Sequence, residues 1–185
     1  MPAPSTLSYA VALALAVASG TASAAQFDYS LFAGIEHSDN VNLSGTDPVS
    51  QNVLSPGLNF IYSQQGSTVQ ASVAGTLEYF DYLGGAFDNQ TFVQLSSQLN
   101  WTVLPQRLDF TVEDFAGVEP RSTLSSNAPD NQQQTNVFST GPTLRAHFSD
   151  TLRGKLDLRY TNTYADDTTE FNGDRLSAVG QLAHL

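Results

Sequence analysis

Seven charged residues between positions 109 and 159 are the side chains most able to act together chemically. Side chains two positions apart on a β-strand lie on the same face, so residues with this spacing would line one polar surface. They either pair with one another as a structural ladder or set the ion selectivity of a water-filled channel. Opposite charges removed from bulk water usually satisfy each other, which favours the ladder. The residues are Asp109, Glu113, Arg145, Arg153, Lys155, Asp157 and Arg159.

His37-Ser38-Asp39 is the candidate catalytic segment, because it places a general base, a hydroxyl and a carboxylate together at the outer end of the first predicted strand. Neighbouring strand residues point to opposite faces, so His37 and Asp39 can share a face that Ser38 does not. A solvated histidine at the end of a strand is therefore predicted, with no catalytic residues. An outer-membrane hydrolase that uses His37 with a carboxylate stays open as an alternative.

The sequence carries no recognisable cofactor or metal motif. The acidic segment 166–174 has many oxygen donors, but it lacks the D-x-D-x-D-G spacing that arranges them around one Ca²⁺ ion. Its composition predicts a solvated loop. A phosphate-binding glycine loop followed by Lys is absent, because the single lysine, Lys155, lies in mid-strand. We expect no cofactor, no bound metal and no enzymatic activity.

Composition limits the class of partner. The 185 residues carry a net charge of −11, and they contain no cysteine. A chain without a basic stripe has little to offer nucleic-acid phosphates, so no nucleic acid is expected. The absence of cysteine excludes a disulfide framework and a thiolate zinc site.

The amino-terminal segment has the pattern of a secretory signal peptide. Residues 9–18 are a short run of mostly Ala, Val and Leu, and Ala22-Ser23-Ala24 matches a small-residue cleavage site. The run is too short to cross a bilayer, which takes about 20 apolar residues. We therefore predict a signal peptide over 1–24 and one mature domain over 25–185.

From Gln26 onward, apolar and polar residues alternate with the period of β-strands. In 91–104, Val93, Leu95, Leu99, Trp101 and Val103 would share one face, opposite Gln94, Ser96, Gln98, Asn100 and Thr102. Reading the remainder in the same way predicts eight strands. They span 26–38, 51–64, 67–83, 90–104, 107–118, 133–149, 151–165 and 175–185.

The predicted connections alternate strictly between short and long. Short turns near 64–67, 104–107 and 149–151 separate longer polar segments near 38–50, 84–90, 118–134 and 166–174. Outer-membrane barrels have short periplasmic turns and long external loops. The pattern predicts an all-β, antiparallel, up-and-down transmembrane β-barrel with about eight strands. A secreted or periplasmic soluble β-sandwich that acts as a binding module is the alternative fold.

Several of these features together resemble one family. A signal peptide is followed by a first strand that runs into Ser38-Asp39-Asn40-Val41-Asn42-Leu43-Ser44, and the second strand contains Pro56-Gly57-Leu58. This arrangement resembles the outer-membrane β-barrel porins found with exopolysaccharide and protein-sorting systems of Gram-negative bacteria. The resemblance implies an outer-membrane location and a link to exopolysaccharide export. It implies no catalytic residues.

The function expected from the sequence is that of a porin-like or structural component of the outer membrane. Its expected partners are membrane lipid and the outer-membrane assembly machinery, with polysaccharide or small ions as solutes. The last predicted strand runs to the final residue, Leu185, without a terminal aromatic. We therefore expect these strands to be the first part of a larger barrel, although eight strands are the smallest number that closes around a packed interior.

Overall fold

The computed structural model describes residues 25–184, and the predicted signal peptide lies outside these described residues. Nearly every residue outside the connections is in a β-strand. The strands are β1 (Ala25–Ser38), β2 (Gln51–Gln65), β3 (Val69–Tyr82), β4 (Gln90–Leu104), β5 (Leu108–Pro120), β6 (Gln132–His147), β7 (Leu152–Ala165) and β8 (Gly173–His184). Two single 3₁₀ turns, Pro129–Asn131 and Thr169–Phe171, lie in the last two long connections.

All eight strands belong to one antiparallel sheet in which each strand pairs with its neighbours in sequence. The predicted up-and-down all-β topology is therefore confirmed. The order runs from β1 at one edge to β8 at the other, and within residues 25–184 these two edges are not paired with each other. The structure is thus one open sheet, neither a closed barrel nor the two packed sheets of a β-sandwich.

The connections alternate in length as the sequence predicts. Residues 66–68, 105–107 and 148–151 form the short turns, whereas 39–50, 83–89, 121–131 and 166–172 form the long loops. At the β4–β5 turn, the Arg107 N–H donates to the Leu104 carbonyl at 3.0 Å, and Gln106 has a φ of 63°. With Pro105 before it, this is the geometry of a type II turn. We call the two ends of the sheet the short-turn end and the long-loop end.

Cross-strand register sorts the side chains onto two faces. Leu31 pairs with Leu58, Leu58 with Leu77, and Leu77 with Val93, so these apolar residues lie on one surface. We call this surface the apolar face and the opposite surface the polar face. Within β4, Leu95 and Leu99 lie on the apolar face, and their neighbours Gln94 and Gln98 lie on the polar face, as the alternation predicts.

Neither face is covered by a second layer. In the described part of the chain, the buried apolar residues are Ala71, Tyr82, Leu95, Ala128 and Ala165. Large apolar side chains are instead exposed, up to 76% for Leu31 in β1 and 84% for Leu176 in β8. Burial in a conventional hydrophobic core therefore does not hold this sheet together; backbone pairing does.

The predicted strand limits differ from the observed ones by a few residues. β3 begins at Val69 instead of 67, and β8 begins at Gly173 instead of 175. β5 continues to Pro120 instead of 118, and β6 begins at Gln132 instead of 133. Both strands therefore extend into the segment 118–134 that was predicted as a loop. No helix among residues 25–184 is long and apolar enough to cross a membrane.

Candidate functional site

Five of the seven predicted charges meet on the polar face of β5, β6 and β7, toward the short-turn end. Arg145 of β6 contacts the Asp109 carboxylate of β5. On β7, Asp157 Oδ2 lies 2.7 Å from Lys155 Nζ, and Asp157 Oδ1 lies 3.7 Å from Arg159 Nη2. These ion pairs form two sets, Arg145–Asp109 and Lys155–Asp157–Arg159, which together we call the charge ladder.

Thr143 lies between the two sets of ion pairs and bonds to one of them. Its hydroxyl donates to Asp157 Oδ1 at 2.7 Å and accepts from Arg159 Nη2 at 3.1 Å. Thr143 also pairs across β5 with Asp109. Because it is itself buried, its hydroxyl needs these partners. The sequence alone did not indicate these contacts, because they depend on the register of β6 with β7.

Arg159 has a structural role that the sequence did not reveal. Gly141 and Pro142 interrupt the β6–β7 ladder, which is paired at Thr140–Tyr160 and resumes at Thr143–Asp157. Where a ladder is interrupted, backbone carbonyls lose their donors on the neighbouring strand and need others. The Arg159 guanidinium supplies them, donating to the Gly141 carbonyl at 3.2 Å and to the Pro142 carbonyl at 3.0 Å.

The two remaining predicted charges lie apart from the charge ladder. Glu113 accepts a hydrogen bond from Gln98 Nε2 at 3.3 Å, within β4 and β5. Arg153 lies opposite His147, next to the last short turn. The structure therefore supports pairing for Asp109, Arg145, Lys155, Asp157 and Arg159, and places Glu113 and Arg153 outside that network.

On β1 to β4 the polar face is built mainly from uncharged groups. Thr76 donates its hydroxyl proton to Asn59 Oδ1 at 2.8 Å, and Asn59 Nδ2 donates to Ser30 Oγ at 3.4 Å. The polar face also carries exposed apolar side chains in one cross-strand row, from Ile61 on β2 to Phe115 on β5 and Val137 on β6. A surface of this kind offers hydrogen bonds and apolar contact but little fixed charge.

The apolar face contains one buried polar pair. Asp114 is 2% exposed and accepts a 2.6 Å hydrogen bond from Asn136 Nδ2. Register places Asp114 beside Ser97, on the same face as Val112 and Ala116. Asn136 Oδ1 has no partner among the described residues. The sequence contains a signal for this buried pair, because Asp114 occupies an apolar position of the β5 alternation while Phe115 occupies a polar one.

At the long-loop end, His37 lies between two side chains. Its Nδ1 is 2.8 Å from Asn52 Oδ1, and its Nε2 is 3.0 Å from Asp39 Oδ1. The Ser38 hydroxyl accepts instead from the Asn40 N–H at 3.2 Å. His37 and Asp39 therefore come together as their spacing predicts, and Ser38 bonds to the loop backbone.

The long loops bind to one another through polar contacts. Arg121 forms a 2.7 Å ion pair with Asp167, and Thr168 donates to the buried Gln133 at 3.0 Å. Asn131 Nδ2 donates to the Ser122 carbonyl at 2.9 Å, which fixes the loop between β5 and β6. Within residues 25–184, no group of His, Asp and Glu is arranged to hold a metal ion.

Comparison of the chain with protein-family models, with curated proteins and with solved structures found no match. Its function must therefore be argued from its own geometry.

Proposed function

We propose that this chain forms part of the wall of an outer-membrane β-barrel and acts as a porin-like or structural envelope component. The main support is the exposed apolar face. Leu31, Ile35, Leu176 and Leu182 are all more than 70% exposed, yet they lie on the same face at the two edges of the sheet. An apolar band on the outside and a polar lining inside are the arrangement that lipid and a water-filled lumen require.

Aromatic residues near both ends of the sheet support a membrane position. Trp101 of β4 lies beside Phe110 of β5 at the short-turn end, on the apolar face. Tyr79 and Tyr164 lie on the same face at the long-loop end. Transmembrane barrels carry such aromatic girdles at both interfaces.

The two edge strands of the sheet, β1 and β8, need pairing partners in a membrane. In hydrocarbon an unpaired backbone N–H or C=O costs several kcal/mol, so open sheet edges do not face lipid. We propose that further antiparallel strands, from another segment or another copy of the chain, join β8 to β1 and complete a barrel larger than eight strands. Pairing of β1 directly with β8 is the alternative closure.

The charge ladder favours a structural role for most of the lumen charges over ion selection. Asp109, Arg145, Lys155 and Asp157 neutralise one another locally. The polar face of β1 to β4 carries few charges, and the solutes that we propose for it are polysaccharide or small ions. Export through the predicted signal peptide would deliver the chain to the periplasm for assembly by the outer-membrane machinery.

Two measurements test the proposal. The full chain, with its predicted signal peptide, is expressed in a Gram-negative host. The protein should fractionate with outer membranes and resist extraction by carbonate. Purified protein should then produce stepwise conductance in planar bilayers if the lumen is open, and none if the barrel is plugged or purely structural. Recovery in the soluble periplasmic fraction would contradict the proposal as a whole.

A further inference from the structure

The end of the β5–β6 hairpin projects beyond its neighbouring strands at the long-loop end. The pairing of β5 with β4 ends at Ala116, and the ladder between β6 and β7 ends at Thr135. Past these positions, the backbone ladders of residues 25–184 join β5 and β6 only to each other, up to Pro120 and Gln132. We call residues 118–134 the hairpin tip. A two-stranded ribbon has little stability of its own, so its position depends on its other contacts.

The connection at the end of the hairpin tip is held together from within. The buried Asn131 donates from Nδ2 to the carbonyls of Ser122 and Ser126, both at 2.9 Å, and its Oδ1 accepts from the Ser122 N–H at 2.9 Å. We therefore expect the connection to move as one unit. Its two sides differ, because Ala128 is 4% exposed and Leu124 is 98% exposed. One side packs inward and the other faces solvent.

The hairpin tip leans toward β4 over the polar face. Gln90 lies on the polar face of β4, and its Nε2 donates to the Pro129 carbonyl at 2.9 Å. At the base of the tip, the Gln134 side-chain amide bonds to the N–H and the carbonyl of Val93, each at 2.8 Å. On the other side of the base, the Gln134 carbonyl accepts from the Asp166 N–H at 3.1 Å. Side chains therefore connect the hairpin tip to β4 where the backbone ladder has stopped.

Two further side-chain contacts join the hairpin tip to the loop between β7 and β8. Arg121 forms its 2.7 Å ion pair with Asp167, and Gln133 accepts the 3.0 Å hydrogen bond from the Thr168 hydroxyl. Both partners of the ion pair are more than one-third exposed. An ion pair that is this accessible to water holds its two groups together only weakly.

From this geometry we propose that the hairpin tip is a hinged flap that covers the long-loop end of the polar face and narrows the mouth of the lumen, and that the Arg121–Asp167 ion pair holds it closed. The inference rests on the proposed function, because only a barrel has a lumen to narrow. Movement about the base of the tip breaks side-chain contacts and leaves the ladders of the sheet intact. Within residues 25–184, Arg121–Asp167 is the one ion pair that the hairpin tip makes.

Cysteine labelling tests whether the hairpin tip is held down. The chain has no cysteine of its own, so Ala128→Cys and Leu124→Cys each supply a single reporter in the same connection. Each full-length variant is reconstituted in phosphatidylcholine vesicles, with a cationic, membrane-impermeant methanethiosulfonate on both sides. Ala128→Cys should react at least about tenfold more slowly than Leu124→Cys, because a buried site reacts only while it is locally open. Equal rates would show that the tip stands free, and would overturn the proposal.

Removing the charge of Asp167 tests the ion pair. In Ala128→Cys/Asp167→Asn, labelling should accelerate about two- to fivefold, the range expected for one exposed ion pair. Asp166→Asn in the same background is the matched control, because Asp166 lies in the same loop and forms no ion pair among residues 25–184. It should leave the labelling rate unchanged. Equal rates in the two backgrounds would show that the ion pair does not hold the tip.

Conductance in planar bilayers tests the narrowing of the lumen. The Asp167→Asn protein should conduct more than the Asp166→Asn protein, because its hairpin tip is open for a larger fraction of the time. Equal conductance, or no conductance in either variant, would show that the hairpin tip does not control the mouth of the lumen.

The flap and the membrane wall fail in different ways. Leu31 is exposed on the apolar face, so lipid should protect Leu31→Cys from the reagent. If Leu31→Cys reacts as fast as Leu124→Cys, the membrane wall is contradicted, whatever the hairpin tip does. If Leu31→Cys reacts slowly while Ala128→Cys and Leu124→Cys react equally fast, the wall is retained and the flap is removed.

Discussion

The Arg159 guanidinium donates a 3.0 Å hydrogen bond to the carbonyl of Pro142, which lies on the neighbouring strand at the point where the β6–β7 ladder is interrupted. A charged side chain therefore substitutes for missing backbone pairing. Arg159 also contacts Thr143 and Asp157, so one residue connects the broken ladder to the charge ladder. This makes Arg159 a structural residue first and a candidate determinant of ion selectivity second.

Replacing Arg159 should destabilise the sheet. Arg159→Ala leaves the Gly141 and Pro142 carbonyls without these donors, and we expect a loss of about 2 kcal/mol in the free energy of unfolding, the scale of hydrogen bonds from a charged group. Urea titration of the reconstituted protein measures this. Arg153→Ala is the control, since Arg153 lies outside the charge ladder and should change stability by less than about 0.5 kcal/mol. Equal losses in the two variants would contradict the role given to Arg159.

Gly141 should tolerate no side chain. Its φ is +155°, and a Cβ at this position would lie 2.1 Å from the Leu158 carbonyl oxygen. Gly141→Ala should therefore cost about 1–3 kcal/mol, because backbone or strand must shift. Gly117→Ala, where a Cβ meets nothing within 4 Å, provides the matched comparison. Thermal unfolding of both variants decides the point; a Gly141→Ala protein as stable as Gly117→Ala would show that β6 and β7 separate easily there.

The buried pair on the apolar face should show strong coupling. Asp114→Leu alone leaves Asn136 Nδ2 with only the longer 3.4 Å hydrogen bond to the Phe115 carbonyl and should destabilise by about 1–3 kcal/mol. The double variant Asp114→Leu/Asn136→Leu removes both polar groups and should recover most of that loss, since apolar replacements of a buried pair are often nearly neutral. Additive losses in a double-mutant cycle would mean that the 2.6 Å hydrogen bond contributes nothing to stability.

If the lumen conducts, Arg153, which makes no ion pair with any residue in 25–184, should control selectivity more cleanly than the charges of the charge ladder. Arg153→Glu should shift the reversal potential in a salt gradient toward cation preference, because this side chain lies outside the charge ladder. Arg159→Glu should shift it in the same direction, but with loss of stability from the carbonyl contacts. An unchanged reversal potential in Arg153→Glu would place this residue outside the conduction path.

The sequence predicted the regular parts of this fold and missed the exceptions. Period-two alternation was enough to identify β4 and its two faces, because most residues there follow the pattern; Ser97 on the apolar face and Phe92 on the polar face are exceptions. It could not predict that the Gln134 side chain bonds to the Val93 backbone, since that contact depends on where the pairing of β4 with β5 stops. Pro142 was a usable signal, because proline within a strand marks a bulge or an interrupted ladder. Asp114 and Phe115 likewise break the alternation, because the polar residue lies on the apolar face and the apolar residue on the polar face. This break is the sequence signal for the buried pair of Asp114 and Asn136.

The charge ladder was only partly predictable for a related reason. Alternation placed Asp157 and Arg159 on one face, but neighbouring strands had to be aligned before Asp109 could be assigned to Arg145. Register depends on the turn geometry and on pairing along the whole strand. The sequence therefore left open whether the charges were paired, and the structure resolves five of them into ion pairs.

Trp101 gives a direct test of which face meets lipid. It is the single tryptophan of the chain, is 46% exposed and lies on the apolar face near the short-turn end. In vesicles its emission should be blue-shifted and quenched by lipids brominated near the interface, more than by lipids brominated at the chain ends, because tryptophans concentrate at the membrane–water boundary. Aqueous acrylamide should quench it weakly. In the double variant Trp101→Phe/Asn100→Trp the tryptophan lies on the polar face. Acrylamide should quench it strongly there, and brominated lipid should quench it weakly. Strong acrylamide quenching of Trp101 itself, without quenching by brominated lipid, would assign the apolar face to a protein contact or to solvent and remove the main support for a membrane wall.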